Sequence, residues 1–210
     1  MFRCIINFIW PPHCAGCGEL LPLRANRLIC NDCLKKLKQT GPSFENYRNC
    51  KIICSAKYEG VCKNIIIEFK FRSSRTIAHT LAQIMTDDLI KYSGTFAPDL
   101  IVPVPLHPGR KQERGFNQSE LISKWISKIL KIPCEKNFLK RTRNTPSQKE
   151  FGKGERIKNV DGAFKSGNAG GKNILLIDDV LTTGATMFEC AKTLKKAGAK
   201  KVLALAFAKA

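Results

Sequence analysis

A chain of 210 residues with 43% hydrophobic and 25% charged residues has room for one good-sized core and a small appendage, in the range of ordinary globular proteins. Ten cysteines would suit a disulfide-stapled secreted domain, but this chain is not small, and its opening lacks a secretory pattern. Thirty-six Lys and Arg against seventeen Asp and Glu leave a net charge of +19, which points to a polyanionic partner such as nucleic acid or an acidic membrane surface; a lysine-rich proteome of origin is the plain alternative.

From the start of the chain, Met1 to Trp10 carries an apolar run that Pro11 and Pro12 cut off, too short for a signal core or a membrane span. The cysteines are therefore expected in a reducing cytoplasm, as metal ligands or plain thiols. Cys14, Cys17, Cys30 and Cys33 form a C-x2-C-x12-C-x2-C arrangement, in which each pair turns two thiolates toward one point. Together they supply the four soft ligands of tetrahedral Zn2+, and four protein ligands leave no open position, so the site reads as structural. Redox-active or free thiols are the other reading. A segment this short buries no core of its own, and a metal explains how it folds. Polar Lys35 to Ile53 reads as a linker, with Cys50 and Cys54 as ordinary thiols, giving a module and linker over residues 1–55 and a second domain over 56–210.

The second domain opens with two helices, one carrying Val61, Ile65, Ile66 and Phe69, the other Ile77, Leu81, Met85 and Leu89, separated by the basic turn Lys70 to Arg75. Asp99 to Leu106 reads as a strand stopped by Pro103 and Pro105. A basic loop, His107 to Gln118, then leads into a helix over Ser119 to Lys131 with a buried stripe of Leu121, Ile122, Trp125, Ile126 and Ile129. Residues 134–139 give a faint strand pattern. Lys140 to Asn159 is long, polar and cationic, and its Lys140, Arg141, Arg143, Lys149, Lys153 and Arg156 suit phosphates or a nucleic-acid backbone. Phe151 among them is placed to stack on a base or, more plainly, to anchor the loop. Val160 to Phe164 is expected to return as a strand, and Asn168 to Gly171 to turn.

Asn173 to Ile177 is apolar without alternation, the mark of a parallel strand covered on both faces, whose ligands bind beyond its carboxyl end. Asp178 and Asp179 stand there. Thr182, Thr183, Gly184, Ala185 and Thr186 follow, bringing hydroxyls and backbone N–H groups to a helix N-terminus that favours a phosphate. Carboxylates for hydroxyls at one end and a phosphate cradle at the other describe a site for a ribose 5-phosphate. The helix after the turn presents Met187, Phe188, Ala191, Leu194 and Ala197 to the sheet, Gly198 ends it, and Val202 to Ala208 supplies a last buried strand.

The stretch Ile174 to Thr186 resembles the phosphoribosyl-pyrophosphate (PRPP) loop of the type I phosphoribosyltransferases. With Arg114-Gly-Phe-Asn-Gln118, the Lys70 element and the cysteine pairs, the chain resembles the ComF family of competence proteins. The resemblance implies an α/β fold, a type I phosphoribosyltransferase-like parallel sheet flanked by helices, with a small N-terminal zinc module of four cysteines. It implies PRPP with Mg2+ in one crevice, the acid pair on the ribose hydroxyls, the turn on the 5-phosphate, and Arg110, Arg114 and Gly115 at the pyrophosphate. For Lys70 it leaves two readings, a cation facing the ligand or a solvated lysine. Lys140 to Asn159 resembles the loop with which such enzymes cover their reactants.

It further implies DNA uptake in natural transformation, with single-stranded DNA as partner, other uptake proteins at the inner face of the membrane, and a cytoplasmic location. Thr182 stands where purine-salvage enzymes carry a further acid, and no glutaminase domain accompanies Cys4, so neither acceptor nor ammonia source is identified. An active phosphoribosyltransferase with an unidentified acceptor is the alternative function, and a docking scaffold is a third.

Overall fold

The computed structural model describes residues 11–23, 25, 27–47, 50–72, 75–106, 109, 112, 115–142 and 160–210. In chain order the elements are α1 (Asn31–Gln39), β1 (Ser43–Tyr47), β2 (Cys50–Lys57), α2 (Gly60–Arg72), α3 (Arg75–Tyr92), β3 (Leu100–Pro103), α4 (Gln118–Leu130), β4 (Leu139–Arg141), β5 (Phe164–Ser166), β6 (Asn173–Leu181), α5 (Ala185–Lys196) and β7 (Lys201–Lys209). Five strands form one sheet in the order β1-β2-β7-β6-β3, in which all neighbours run parallel except the antiparallel edge strand β1. β4 and β5 pair apart from it, antiparallel.

The central strands are buried on both faces, which is why they read as unbroken apolar runs. Leu175, Ile177, Leu203, Leu205 and Phe207 point into a core shared with Ile65, Ile66 and Phe69 of α2, Ile77, Leu81 and Met85 of α3, and Ile122 and Ile126 of α4. Ile174, Leu176, Ala204 and Ala206 face the other way, onto Met187, Cys190 and Leu194 of α5 and Leu139 and Phe164 of the small ribbon. Each fully buried Leu, Ile or Phe contributes about 1.5–3 kcal/mol. The cysteine module joins the first of these cores through Cys14, Ile29, Cys33 and Leu37. It is packed on α2 rather than held away from it.

Several expectations change on this framework. The expected linker is instead the second half of α1, then β1 and β2, and the boundary anticipated at residues 55 and 56 falls inside β2 where that strand pairs with β7. The strand expected to stop at Ile177 continues to Leu181, because β7 goes on pairing with it at Asp178, Val180 and Leu181. Residues 134–139 yield only a bridge between Ile101 and Cys134, with β4 starting at Leu139. The return strand is Phe164–Ser166, preceded by a turn rather than beginning at Val160. Ile129, expected in the buried stripe of α4, is exposed.

The two ends of the long basic stretch are held together. Thr142 N–H donates to the carbonyl of Ala163 at 2.8 Å. Buried Glu189 of α5 accepts from Gly162 N–H at 3.1 Å and pairs with Lys192 at 3.2 Å, and Lys192 also holds Asp161 at 2.6 Å. Among the described residues no helix is long and apolar enough to cross a membrane.

Candidate functional site

The four motif cysteines converge. Their sulfur atoms all lie within 4.8 Å of one another, with Cys17 and Cys30 3.8 Å apart. A tetrahedron with metal–sulfur bonds of about 2.3 Å has edges of about 3.8 Å, so the group fits one ion. The sulfurs already accept backbone N–H groups, Cys14 from Gly16 and Cys30 at 3.4 and 3.2 Å, and Cys30 from Cys33 at 3.4 Å. That last bond makes the Cys30 thiol the N-cap of α1. Burial pushes the Cys14 thiol up, but the N–H groups of Cys30, Cys17 and Gly16 outweigh it and bring it down to about 7. Burial and the neighbouring sulfurs push Cys33 well up. Gly16 is required by space. A Cβ there would stand 2.8 Å from both the Cys33 sulfur and a methyl of Val61, while the Gly16 carbonyl accepts from Asn64 Nδ2 of α2 at 2.9 Å.

The acid pair lies at the other end of α2. Asp178 and Asp179, both half-buried on β6, meet the first turn of α4 and the last turns of α2. Asp178 Oδ1 accepts from Ser119 Oγ and from Asp179 N–H, each at 2.9 Å. Asp179 pairs with Lys70 Nζ at 3.5 Å, and its Oδ1 accepts from Val180 N–H at 2.8 Å. Burial first, then the charge of Asp179, raises the Asp178 carboxyl to about 8 against the opposing bonds from Ser119 and Asp179 N–H. Asn117 fixes the α4 end of this arrangement, its Oδ1 capping Ser119 N–H at 3.0 Å and its Nδ2 donating to the Val104 carbonyl at 3.0 Å.

Beyond the acids, Thr182 is exposed, Thr183 and Thr186 are half-buried, and Gly184 and Ala185 are buried. Thr183 Oγ1 accepts from Ala185 N–H at 3.5 Å, and Gly184 is the N-cap of α5 at φ 76°, a left-handed conformation that a side chain would strain. Gly115 is exposed at φ 72° just before the α4 cap. Lys140 is exposed on β4, whereas Arg141 is half-buried with its guanidinium 5.6 Å from the centre of the Phe164 ring. Arg110, Arg114, Arg143, Lys149, Phe151, Lys153 and Arg156 lie outside the described residues. Ser119, which no motif in the sequence singles out as a site residue, bonds Asp178, and Asn117, read from the sequence as starting the helix, is its N-cap two positions earlier. A separate cleft of about 250 Å³ between α1, β2, β7 and α3, lined by Ser55, Ile84, Asp88 and Phe207 among others, includes none of the acid-pair residues.

Three elements thus bring two carboxylates, a hydroxyl, an ammonium and a Thr/Gly turn to the carboxyl end of a parallel strand. Among known proteins, the family profile described as a phosphoribosyl transferase domain matches residues 118–210. "Competence protein F" of Haemophilus influenzae is 32% identical over 208 residues, covering 95% of this chain and 85% of that protein. The chain belongs to the ComF family of competence proteins. Further ComF relatives are the "DNA utilization protein YhgH" of Escherichia coli, 31% identical with 90% of this chain and 80% of that protein covered, and "Competence protein ComFC" of Bacillus subtilis, 30% identical with 88% and 72% covered. Its fold is that of a type I phosphoribosyltransferase-like α/β domain with an N-terminal four-cysteine group that can hold a metal ion.

Proposed function

We propose that this ComF chain handles single-stranded DNA during DNA uptake and binds PRPP with Mg2+ in the crevice at Asp178 and Asp179. The observation that carries the PRPP reading is the meeting of the acid pair with Ser119, Lys70 and the Gly184 turn at one strand end. Ribose hydroxyls would donate to the two carboxylates, and Thr182, Thr183, Gly184, Ala185 and Thr186 would receive the 5-phosphate at the α5 N-terminus. Arg110, Arg114 and Gly115 would face the pyrophosphate, with Mg2+ bound to the ligand and neutralising its charge. Zn2+ is the ion assigned to Cys14, Cys17, Cys30 and Cys33, in a structural role.

The relatives' names point to the process, and the charge of +19 supports a polyanion as partner. Lys140, Arg141, Arg143, Lys149, Lys153 and Arg156 are assigned to the DNA backbone. The assigned location is the cytoplasm, at the inner face of the membrane beside other uptake proteins. Phosphoribosyl transfer to an unidentified acceptor is the second reading, favoured by the same acid-and-turn geometry.

Calorimetric titration with PRPP–Mg2+ and with an oligonucleotide, alone and together, tests the proposal. Binding of both is expected, with DNA affinity falling as salt rises, and Asp178→Asn with Asp179→Asn should abolish PRPP binding only. DNA affinity no better than millimolar at low salt, or PRPP affinity unchanged in the double variant, would remove the corresponding half. Pyrophosphate release from PRPP on addition of an acceptor would select the second reading.

A further inference from the structure

α2 touches both chemistry-bearing parts of the fold. Near its start, Val61 packs at Gly16 and Asn64 holds the Gly16 carbonyl; near its end, Lys70 pairs with Asp179. Its inner face is fully committed, with Cys62, Ile65, Ile66 and Phe69 buried at 1% exposure or less. Yet its outer face is not polar. Lys63, Ile67 and Phe71 follow one another at i, i+4 and i+8, one stripe of a helix, with Ile67 39% and Phe71 82% exposed. An aromatic ring this open forgoes most of the gain its burial would bring. The helix carries Lys63, Lys70 and Arg72 against one acid, Glu68, and exposed Arg75 opens the next helix.

We infer that the outer stripe of α2, Phe71 foremost, is a stacking platform for the bases of single-stranded DNA, with Lys63 and Arg75 on the phosphates and the strand running along α2 between the cysteine module and the acid pair. The inference rests on the single-stranded DNA reading above and gives it a place. Aromatic faces flanked by cations bind single strands without sequence preference, since every base presents a π-face. Charge selects the occupant. A second copy would bring +19 against +19 across a stripe of cations, whereas a polyanion is attracted. Two outward apolar side chains also fall short of the broad apolar face with which a surface helix enters a membrane, because the broad face of α2 is spent on the core.

The test is equilibrium binding of fluorescein-labelled oligothymidylate to the zinc-loaded full chain at low salt. Phe71→Ala is expected to weaken binding roughly 5- to 150-fold, the loss of one stacked base, and Phe71→Trp to retain it. Since the ring is exposed, the thermal midpoint, zinc content and PRPP affinity of Phe71→Ala should match the parent. Unchanged DNA affinity in Phe71→Ala, beside a parent chain that binds, overturns the platform and leaves the DNA-handling role standing. A parent chain that does not bind oligothymidylate overturns both. If Phe71→Ala instead alters the sedimentation of the protein alone, its binding to anionic phosphatidylglycerol vesicles, or its PRPP affinity, the stripe serves another surface and the inference is refuted.

Discussion

Replacing Asp178 by Asn should stabilise the chain increasingly as pH rises. In the folded protein the carboxyl titrates near 8 because burial and the charge of Asp179 disfavour its ionised form, while its ordinary value is 3.8. A raised carboxyl holds its proton in the folded state after the unfolded chain has released it. Its contribution is therefore fully present below about 3.8 and is lost progressively as pH climbs toward about 8. One proton of difference gives a slope of about 1.4 kcal/mol per pH unit, hence a ceiling of about 3 kcal/mol between pH 5 and pH 7. Because Asp178 is half-buried, solvent relaxation brings the expected figure to roughly 1–2 kcal/mol. Asn keeps the oxygen that accepts from Ser119 Oγ and Asp179 N–H, so packing is preserved and the other titrating groups cancel in the difference. Urea unfolding of the zinc-loaded protein and of Asp178→Asn, without PRPP, at several pH values measures it. Parallel stability curves, or a variant that loses ground as pH rises, would refute the buried-acid account.

On the proposed function, the same carboxyl would make PRPP affinity pH-dependent. If ribose hydroxyls donate to ionised Asp178, affinity should rise up to about tenfold per pH unit until about pH 8 and then level off, which titrations across that range would reveal. Gly16→Ala places a methyl group 2.8 Å from the Cys33 sulfur and from Val61, and should cost about 1–3 kcal/mol in stability together with metal affinity, read by thermal melting and chelator competition. Asn117→Ala removes the α4 cap and the bond to Val104, with an expected loss of about 1–2 kcal/mol in urea unfolding and weaker PRPP binding as Ser119 shifts. Complete removal of the metal, verified by elemental analysis, should lower the melting midpoint sharply, with recovery on adding Zn2+ but not Mg2+; an unmoved midpoint counts against the cysteine group as part of the fold.

Sequence alone determined the two local constellations. Two C-x2-C pairs bring thiolates together through short turns, and a short unbroken apolar run bounded by turn residues reads as a strand covered on both faces, so the acids and the Thr/Gly turn after it had a place before any packing was known. Tertiary structure decided what those constellations touch. Ser119 reaches Asp178 across 59 positions and Lys70 reaches Asp179 from a different helix, contacts that carry no spacing signal because they exist only once α2 and α4 pack on the same face of the sheet. β6 extends past its acids only because β7 supplies hydrogen bonds there, and polar Ser43–Tyr47 is a strand only because β2 offers it an edge. Local pattern reports which face a residue prefers; the partner strand or helix that satisfies its hydrogen bonds is chosen by the fold.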